Sequence, residues 1–189
     1  MTPAFELRRP SHELLPDYAA AMRKGWSPST SRDVTAEQLA AIARDPDAFL
    51  VDLERPGAPL TLNDGRVVER IPGRTFWMWD GGFCGAINVR YVTGTEDLPP
   101  HVSGHIGYSV VPWKQRRGYA SHALGLLLPQ IEGITGLSRV LITCDEDNAG
   151  SRKVIEANGG VFSGIAPDPE RPGIAKLLFW IVLPTKVPH

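Results

Sequence analysis

Apolar and polar residues alternate along this chain with two different periods, and the switches between them mark the expected elements. Phe5-Glu6-Leu7 alternates and predicts a short strand. After Ser11, the positions Leu14, Leu15, Tyr18, Ala19 and Met22 recur at helical spacing, with Pro16 in the first turn, where proline is tolerated. Thr35 followed by Gln38 has the form of a capping box ahead of Leu39, Ala40 and Ala43, which predicts a second helix. The apolar run Phe49 to Leu53 predicts a strand. Between Glu54 and Arg74, Pro56-Gly57, Asn63-Asp64-Gly65 and Pro72-Gly73 predict loops with a short hairpin.

Thr75 to Trp79 and Phe83 to Val92 flank Asp80-Gly81-Gly82 and predict a β-hairpin, because an Asp-Gly pair supplies the positive φ angles of a tight turn. Residues 93–104 form a loop, and His105 to Val111 a strand ended by Pro112, with Ile106, Tyr108 and Val110 on one side. Ala120, Ala123, Leu124, Leu127, Leu128 and Ile131 keep a 3.6-residue period, although Pro129 should kink or shorten that helix. Val140 to Cys144 reads as a buried strand. Asn148 is placed to cap a short helix with Val154 and Ile155 inward and Gly159-Gly160 at its end. Val161 to Ile165 and Lys176 to Leu183 form a closing antiparallel pair. The order is mixed α+β, and strand–helix–strand–helix in the last third implies a locally parallel pair.

A chain of 189 residues carries one sizeable core and hardly two. Its 20 basic and 21 acidic residues leave a formal net charge of -1, so there is no broad basic field and no nucleic-acid partner is expected. Phosphate chemistry must come from a local cluster. Cys84 and Cys144 are isolated in apolar runs, which makes neither a disulfide framework nor a zinc site and implies a reducing compartment. The opening residues lack the apolar core of a signal peptide, and no apolar stretch has bilayer length. A cytoplasmic protein without a membrane partner is expected.

The stretch that changes the picture is Gln115-Arg116-Arg117-Gly118-Tyr119-Ala120, between a strand and the first turn of an amphipathic helix. The first amides of a helix have no intrahelical acceptor and lie at the positive end of its dipole. Gly118 and Ala120 are small, and Lys114, Arg116 and Arg117 add charge, so a phosphate or pyrophosphate is a natural occupant. The other reading is an ordinary strand-to-helix turn with solvated arginines. Neither GxxxxGK[ST] nor GxGxxG is present, which excludes a P-loop and a dinucleotide fingerprint.

The segment Q-R-R-G-Y-A after H-I-G-Y-S-V-V-P, followed by V-L-I-T-C and then N-A-G-S, resembles the acetyl-coenzyme A-dependent N-acetyltransferases of the GNAT superfamily, whose signature is Q/R-x-x-G-x-G/A. The resemblance is clear over residues 75–183, the expected acetyl-CoA-binding core, and looser over 1–74, the expected acceptor side. It implies one domain with a central mixed, mostly antiparallel sheet of about six to seven strands, a splayed parallel pair and about four flanking helices. A homodimer is compatible with such a fold.

The resemblance also implies roles. Ser109, Val110 and Val111 would offer backbone groups to the pantetheine arm and thioester, as an added strand does. Amides from Gln115 through Arg116, Arg117, Gly118 and Tyr119 to Ala120 would hold the pyrophosphate. Asn148 and Ser151, one turn apart, would reach the pantetheine or the sulfur. A backbone N–H near Val110 suits the oxyanion that forms when an amine of a small molecule or peptide attacks the thioester. His105 is the candidate general base, with Glu146 and Asp145 as alternatives. Relatives carry a tyrosine, proposed to protonate the leaving thiolate, where this chain has Ile155, so Ser151 or water would serve. The implied co-substrate is acetyl-CoA, with no metal. The missing tyrosine motivates a second reading, a non-catalytic acyl-CoA-binding or sensing module; a phosphoryl-binding protein unrelated to coenzyme A is a third.

Overall fold

The computed structural model describes residues 4–184. The first half runs β1 (Glu6–Arg8), α1 (Leu15–Arg23), α2 (Thr35–Arg44), α3 (Pro46–Asp52), β2 (Pro59–Thr61) and β3 (Val67–Glu69). The hairpin β4 (Gly73–Trp79) and β5 (Phe83–Arg90) follows, then β6 (Ile106–Val110) and a single 3₁₀ turn at Pro112–Lys114. The chain ends with α4 (Tyr119–Thr135), β7 (Arg139–Asp145), α5 (Ala149–Ala157), β8 (Val161–Pro167) and β9 (Ala175–Val182). The strands form two antiparallel blocks, β1-β4-β5-β6 and β7-β9-β8, with β2-β3 as a separate hairpin. The two blocks together hold the seven strands expected, and they meet at β6 and β7.

Three expectations need correction. Residues 49–53 do not form a strand. Asp45 is extended and accepts the Ala48 amide at 3.0 Å, Pro46 occupies the first helical position, and α3 follows. A short apolar run does not by itself distinguish a buried strand from a helix, and here the cap decides. This raises the helices from about four to five. Second, Thr35 does not cap α2: it is the first helical residue, and its amide donates to Asp33 at 2.8 Å. Third, Pro129 does not shorten α4, which continues to Thr135 and stops where Gly136 turns left-handed.

Two apolar clusters sandwich the first block. On one face, Ala123, Leu124, Leu127 and Ile131 of α4 pack with Phe76, Met78, Ile87 and Val89, and the cluster continues through Ile142, Phe179 and Ile181. Each such side chain taken fully from water contributes about 1.5–3 kcal/mol. On the other face, Leu15, Tyr18 and Met22 of α1 pack with Trp26, Phe49, Trp77 and Phe83. Trp77 thus faces opposite to its neighbours Phe76 and Met78, as strand alternation requires. In β5 the alternation slips between Phe83 and Ala86, because the β4–β5 register shifts beside Gly85.

Candidate active site

β6 and β7 are joined only at their base. The His105 amide donates to the Leu141 carbonyl at 2.7 Å, and the Leu141 amide donates to His105 Nδ1 at 2.9 Å. Beyond this clasp no ladder links the strands among the described residues, and a cleft of about 490 Å³ opens between them. The Arg90 amide donates to His105 O at 2.8 Å and the Val111 amide to Cys84 O at 3.0 Å, which fixes the alternation of the β5–β6 ladder. By that alternation Gly107, Ser109 and Val111 turn their backbone groups to β5, whereas Tyr108 and Val110 turn theirs to the cleft. Of the three residues expected to offer their backbone, only Val110 is therefore so placed, and Tyr108 joins it. Val111 is buried in the α1-side core. Ser109 is held from behind, its hydroxyl accepting Trp26 Nε1–H at 2.9 Å.

At the wide end of the cleft the chain turns through Gln115, extended, Arg116 at φ 60° and Gly118 at φ 80° before α4 begins. Gly118 is demanded by its left-handed backbone, since a Cβ there would meet nothing within 4 Å. No protein group accepts the amides of residues 116–121 among the described residues. The cap residue has no side chain to serve them, so they form an open anion cradle. Gln115, Arg116, Gly118, Tyr119 and Ala120 line the cleft, whereas the Arg117 side chain is exposed and outside it. Gln115 Nε2 donates to the Val110 carbonyl at 3.2 Å, which leaves the Val110 and Tyr108 amides as free donors on that edge. Lys114 is not a spare cation: its Nζ lies 2.6 Å from Asp80 Oδ1, and the Tyr119 hydroxyl donates to Asp80 Oδ2 at 2.5 Å. That hydrogen bond to the carboxylate raises the Tyr119 phenol.

The opposite wall comes from β7 and α5. Asn148 caps α5 by accepting the Ser151 amide at 2.9 Å, and Asn148 and Ser151 both line the cleft. Ser151 Oγ lies 2.6 Å from the Tyr108 hydroxyl, a contact that spans the gap from β6. Burial pushes the Tyr108 phenol up to about 12. Handing its proton to a thiolate, whose acid has a pKa of about 8.5, is uphill by several kcal/mol, so Tyr108 orients Ser151 and stays protonated. Ile155, at the resemblance's tyrosine position, is fully buried in the core and cannot reach the cleft.

The three base candidates fare differently. His105 is 0% exposed, lies outside the cleft lining, and spends its Nδ1 lone pair on the Leu141 amide. Its proton sits on Nε2, which is buried without a partner, and burial lowers its pKa. It is a clasp, not a group free to take a proton. Glu146 is exposed and outside the cleft. Asp145 lines the cleft but is engaged by Arg171 at 2.6 Å and Lys176 at 2.8 Å; burial would raise its pKa, and these hydrogen bonds hold it low.

The cleft continues past Thr30, Arg90, Ser103 and Lys176 into a chamber of about 220 Å³, which opens onto a larger one of about 320 Å³ under the β2–β3 hairpin. Residues 28–31 and 101–103 line the smaller chamber. Asn88, Arg90 and Glu170 line both chambers and were not anticipated. Glu170 lies in the segment Pro167-Asp168-Pro169-Glu170, whose only readable signal is a turn. Asp168 builds that turn, accepting the Glu170 and Arg171 amides at 2.8 and 3.0 Å.

A strand pair parted above a basal clasp, with a helix-terminal anion cradle at its mouth, is the frame of an acyl-CoA-dependent acyltransferase. The model of the Acetyltransferase (GNAT) domain matches residues 5–161, and the chain belongs to that family, whose enzymes use acetyl-CoA as acetyl donor. Similar solved structures include RimL, a ribosomal-protein alpha-N-acetyltransferase in complex with coenzyme A (15% identity, TM-score 0.62, covering 97% of this chain and 95% of that one). The Microcin C7 self-immunity acetyltransferase MccE, in complex with acetyl-CoA and AMP, shares 13% identity at TM-score 0.59, with 95% and 92% covered. A ribosomal-protein alanine acetyltransferase from Vibrio fischeri shares 16% identity at TM-score 0.59, with 97% and 96% covered. At these identities the likeness is one of fold. No curated protein matches the chain. Among the described residues no helix is long and apolar enough to cross a membrane, and no cluster of side chains could hold a metal ion.

Proposed function

We propose that this enzyme transfers the acetyl group of acetyl-CoA to a primary amine of a small molecule or peptide by direct attack on the thioester. The observation that carries the reading is the continuity of anion cradle, open strand edge and acceptor chamber. Acetyl-CoA, when bound, supplies the activated acyl group. The amides of residues 116–121 hold its pyrophosphate, with Arg116 beside them. The Tyr108 and Val110 edge pairs with the pantetheine arm as with an added strand. The Val110 amide, a fixed dipole, donates to the carbonyl oxygen as charge develops there. Ser151, held by Tyr108, donates a hydrogen bond to the departing sulfur, which leaves as the thiolate and takes its proton from water.

For the base, the fitting group is a free carboxylate that faces both acceptor chambers; Glu69 is free but lines only the larger one. Asp168 is consumed by Arg171, Lys176 and the turn amides, whereas Glu170 makes no side-chain hydrogen bond among the described residues and faces both chambers. Glu170 accepts the amine proton, directly or through one water. Calorimetry with acetyl-CoA tests the first half of this reading: no binding at millimolar concentration sinks it. Thiol release with an amine panel tests the second half, where Glu170→Gln should lower kcat by about 10²- to 10⁴-fold with acetyl-CoA binding retained. Because Ile155 leaves no tyrosine acid, the non-catalytic acyl-CoA module is the competing reading, and binding without turnover on any amine would favour it.

A further inference from the structure

Arg90 ends β5 at the point where the cleft and both acceptor chambers meet, and it lines all three. Its backbone amide donates to His105 O at 2.8 Å and its Nε to Gly104 O at 2.7 Å, so the side chain is pinned at its root. The two terminal nitrogens have no acceptor in the protein among the described residues. Asn88, two residues earlier on the same strand face, has an amide that is likewise unpaired. Both side chains converge over Gly107, where a Cβ would lie 3.5 Å from Arg90 Nη2 and 3.5 Å from Asn88 Oδ1. Gly107 immediately precedes Tyr108, the first residue of the open edge that takes the thioester arm.

A half-buried guanidinium whose outer fork has no carboxylate partner is costly unless an anion completes it, and a carboxylate matches that fork with two parallel hydrogen bonds. Glu170 does not fill this place: burial lowers the Arg90 pKa and the charge of Glu170 opposes that, but the two form no ion pair. Arg90 and Glu170 therefore give the two chambers a fixed cation and a free carboxylate, the complement of a molecule bearing a carboxylate and an ammonium. Gly107 and the Val110 amide are three residues and about 10 Å apart along β6, an interval that a carboxylate on the guanidinium, the two bonds to its amine and an attack distance of about 3 Å span in series. A polypeptide N-terminus has no α-carboxylate at that distance, and only an N-terminal Asp or Glu would bring a side-chain one.

We propose that the acceptor is a free amino acid, with Arg90 reading its carboxylate while its amine faces the thioester. This rests on the acetyl-transfer reading above. The test is thiol release with acetyl-CoA and three sets of acceptors: the twenty L-amino acids, their C-terminal amides, and tripeptides with the same N-terminal residues. At least one free amino acid should turn over with kcat/KM about tenfold or more above its amide and tripeptide, the worth of one charge-assisted pair. Arg90→Gln should bring the three sets within about twofold while acetyl-CoA affinity, read by calorimetry, moves less than about threefold. Equal or better turnover of amides or tripeptides overturns the proposal, as does retention of the preference by Arg90→Gln. Failure of every free amino acid with a protein that binds acetyl-CoA also overturns it. Should Arg90→Gln not fold, the comparison of acid with amide on the unaltered enzyme decides alone. An unaltered protein that does not bind acetyl-CoA would sink the acetyl-transfer reading itself, and the two failures are thereby told apart.

Discussion

Gly85→Ala is the substitution that best probes the link between packing and catalysis. Gly85 sits at the irregularity of β5, at φ 146°, directly beneath the open edge of β6. A Cβ built there would lie 2.2 Å from the Ser109 carbonyl oxygen and 2.8 Å from the Val110 Cα, both backbone atoms that no rotamer change can move. Relief requires β6 to retreat by about 1 Å, and overpacking of that kind costs about 1–3 kcal/mol. The strained φ adds about 1–2 kcal/mol, so a loss near 3 kcal/mol is expected in urea unfolding. The same retreat carries the Val110 amide, the proposed oxyanion donor, out of place, and a misplacement of about 1 Å can cost about 10²-fold in rate. The anion cradle at residues 116–121, built by local turn geometry, should keep its hold on coenzyme A. The expected signature is thus a large fall in kcat with calorimetric affinity for coenzyme A nearly unchanged. A variant within about 0.5 kcal/mol of the parent and with parental kcat would refute the argument that β6 is held at its position by the absence of that methyl group.

His105→Leu should cost about 1–3 kcal/mol, because it strips the Leu141 amide of its acceptor. Burial lowers the His105 pKa below its usual 6.5, so its contribution is complete above about pH 6.5 and fades as pH falls, and the variant should lose that slope in urea midpoints measured from pH 8 to 5 while its pH–rate profile keeps any basic limb. Tyr108→Phe should lower kcat by about tenfold and add nothing in a Ser151→Ala background, a non-additivity that a purely structural role would not produce. Arg171→Met should cost about 1–3 kcal/mol, since Arg171 pairs with both Asp145 and Asp168. Burial raises these two carboxyls but their hydrogen bonds lower them further, so the penalty is complete above about pH 4 and disappears as pH falls through their depressed values; a penalty that grows on acidification would contradict the assignment.

Much of the architecture was legible because it rests on local physics. The β4–β5 hairpin follows from Asp80-Gly81-Gly82, α4 from its apolar period, and the capped start of α5 from Asn148, each decided within a few residues. The unaccepted amides at the start of α4 belong with them, since free amides at a helix start are a property of the turn and not of its surroundings. The strand expected at residues 49–53 failed for the same reason in reverse: the apolar run was ambiguous, and the deciding signal, Asp45 before Pro46, lay outside it.

The amino-acid sequence by itself determined most of the order of elements, with α3 the exception, the open turn ahead of α4 and, through the motif that surrounds it, the family. Only the tertiary structure decided which side chains share the site. Tyr108 and Ser151 are 43 positions apart, and Arg90, Asn88 and Glu170 come from β5 and from a turn between β8 and β9 that meet only when the two sheet blocks assemble. His105 carried the right chemistry for a base, yet its role was settled by the Leu141 amide, a partner no spacing rule connects to it. Periodicity reports which face of an element is apolar; it carries no information about which elements lie across a cleft, and a proton-transfer or specificity role depends on that distance.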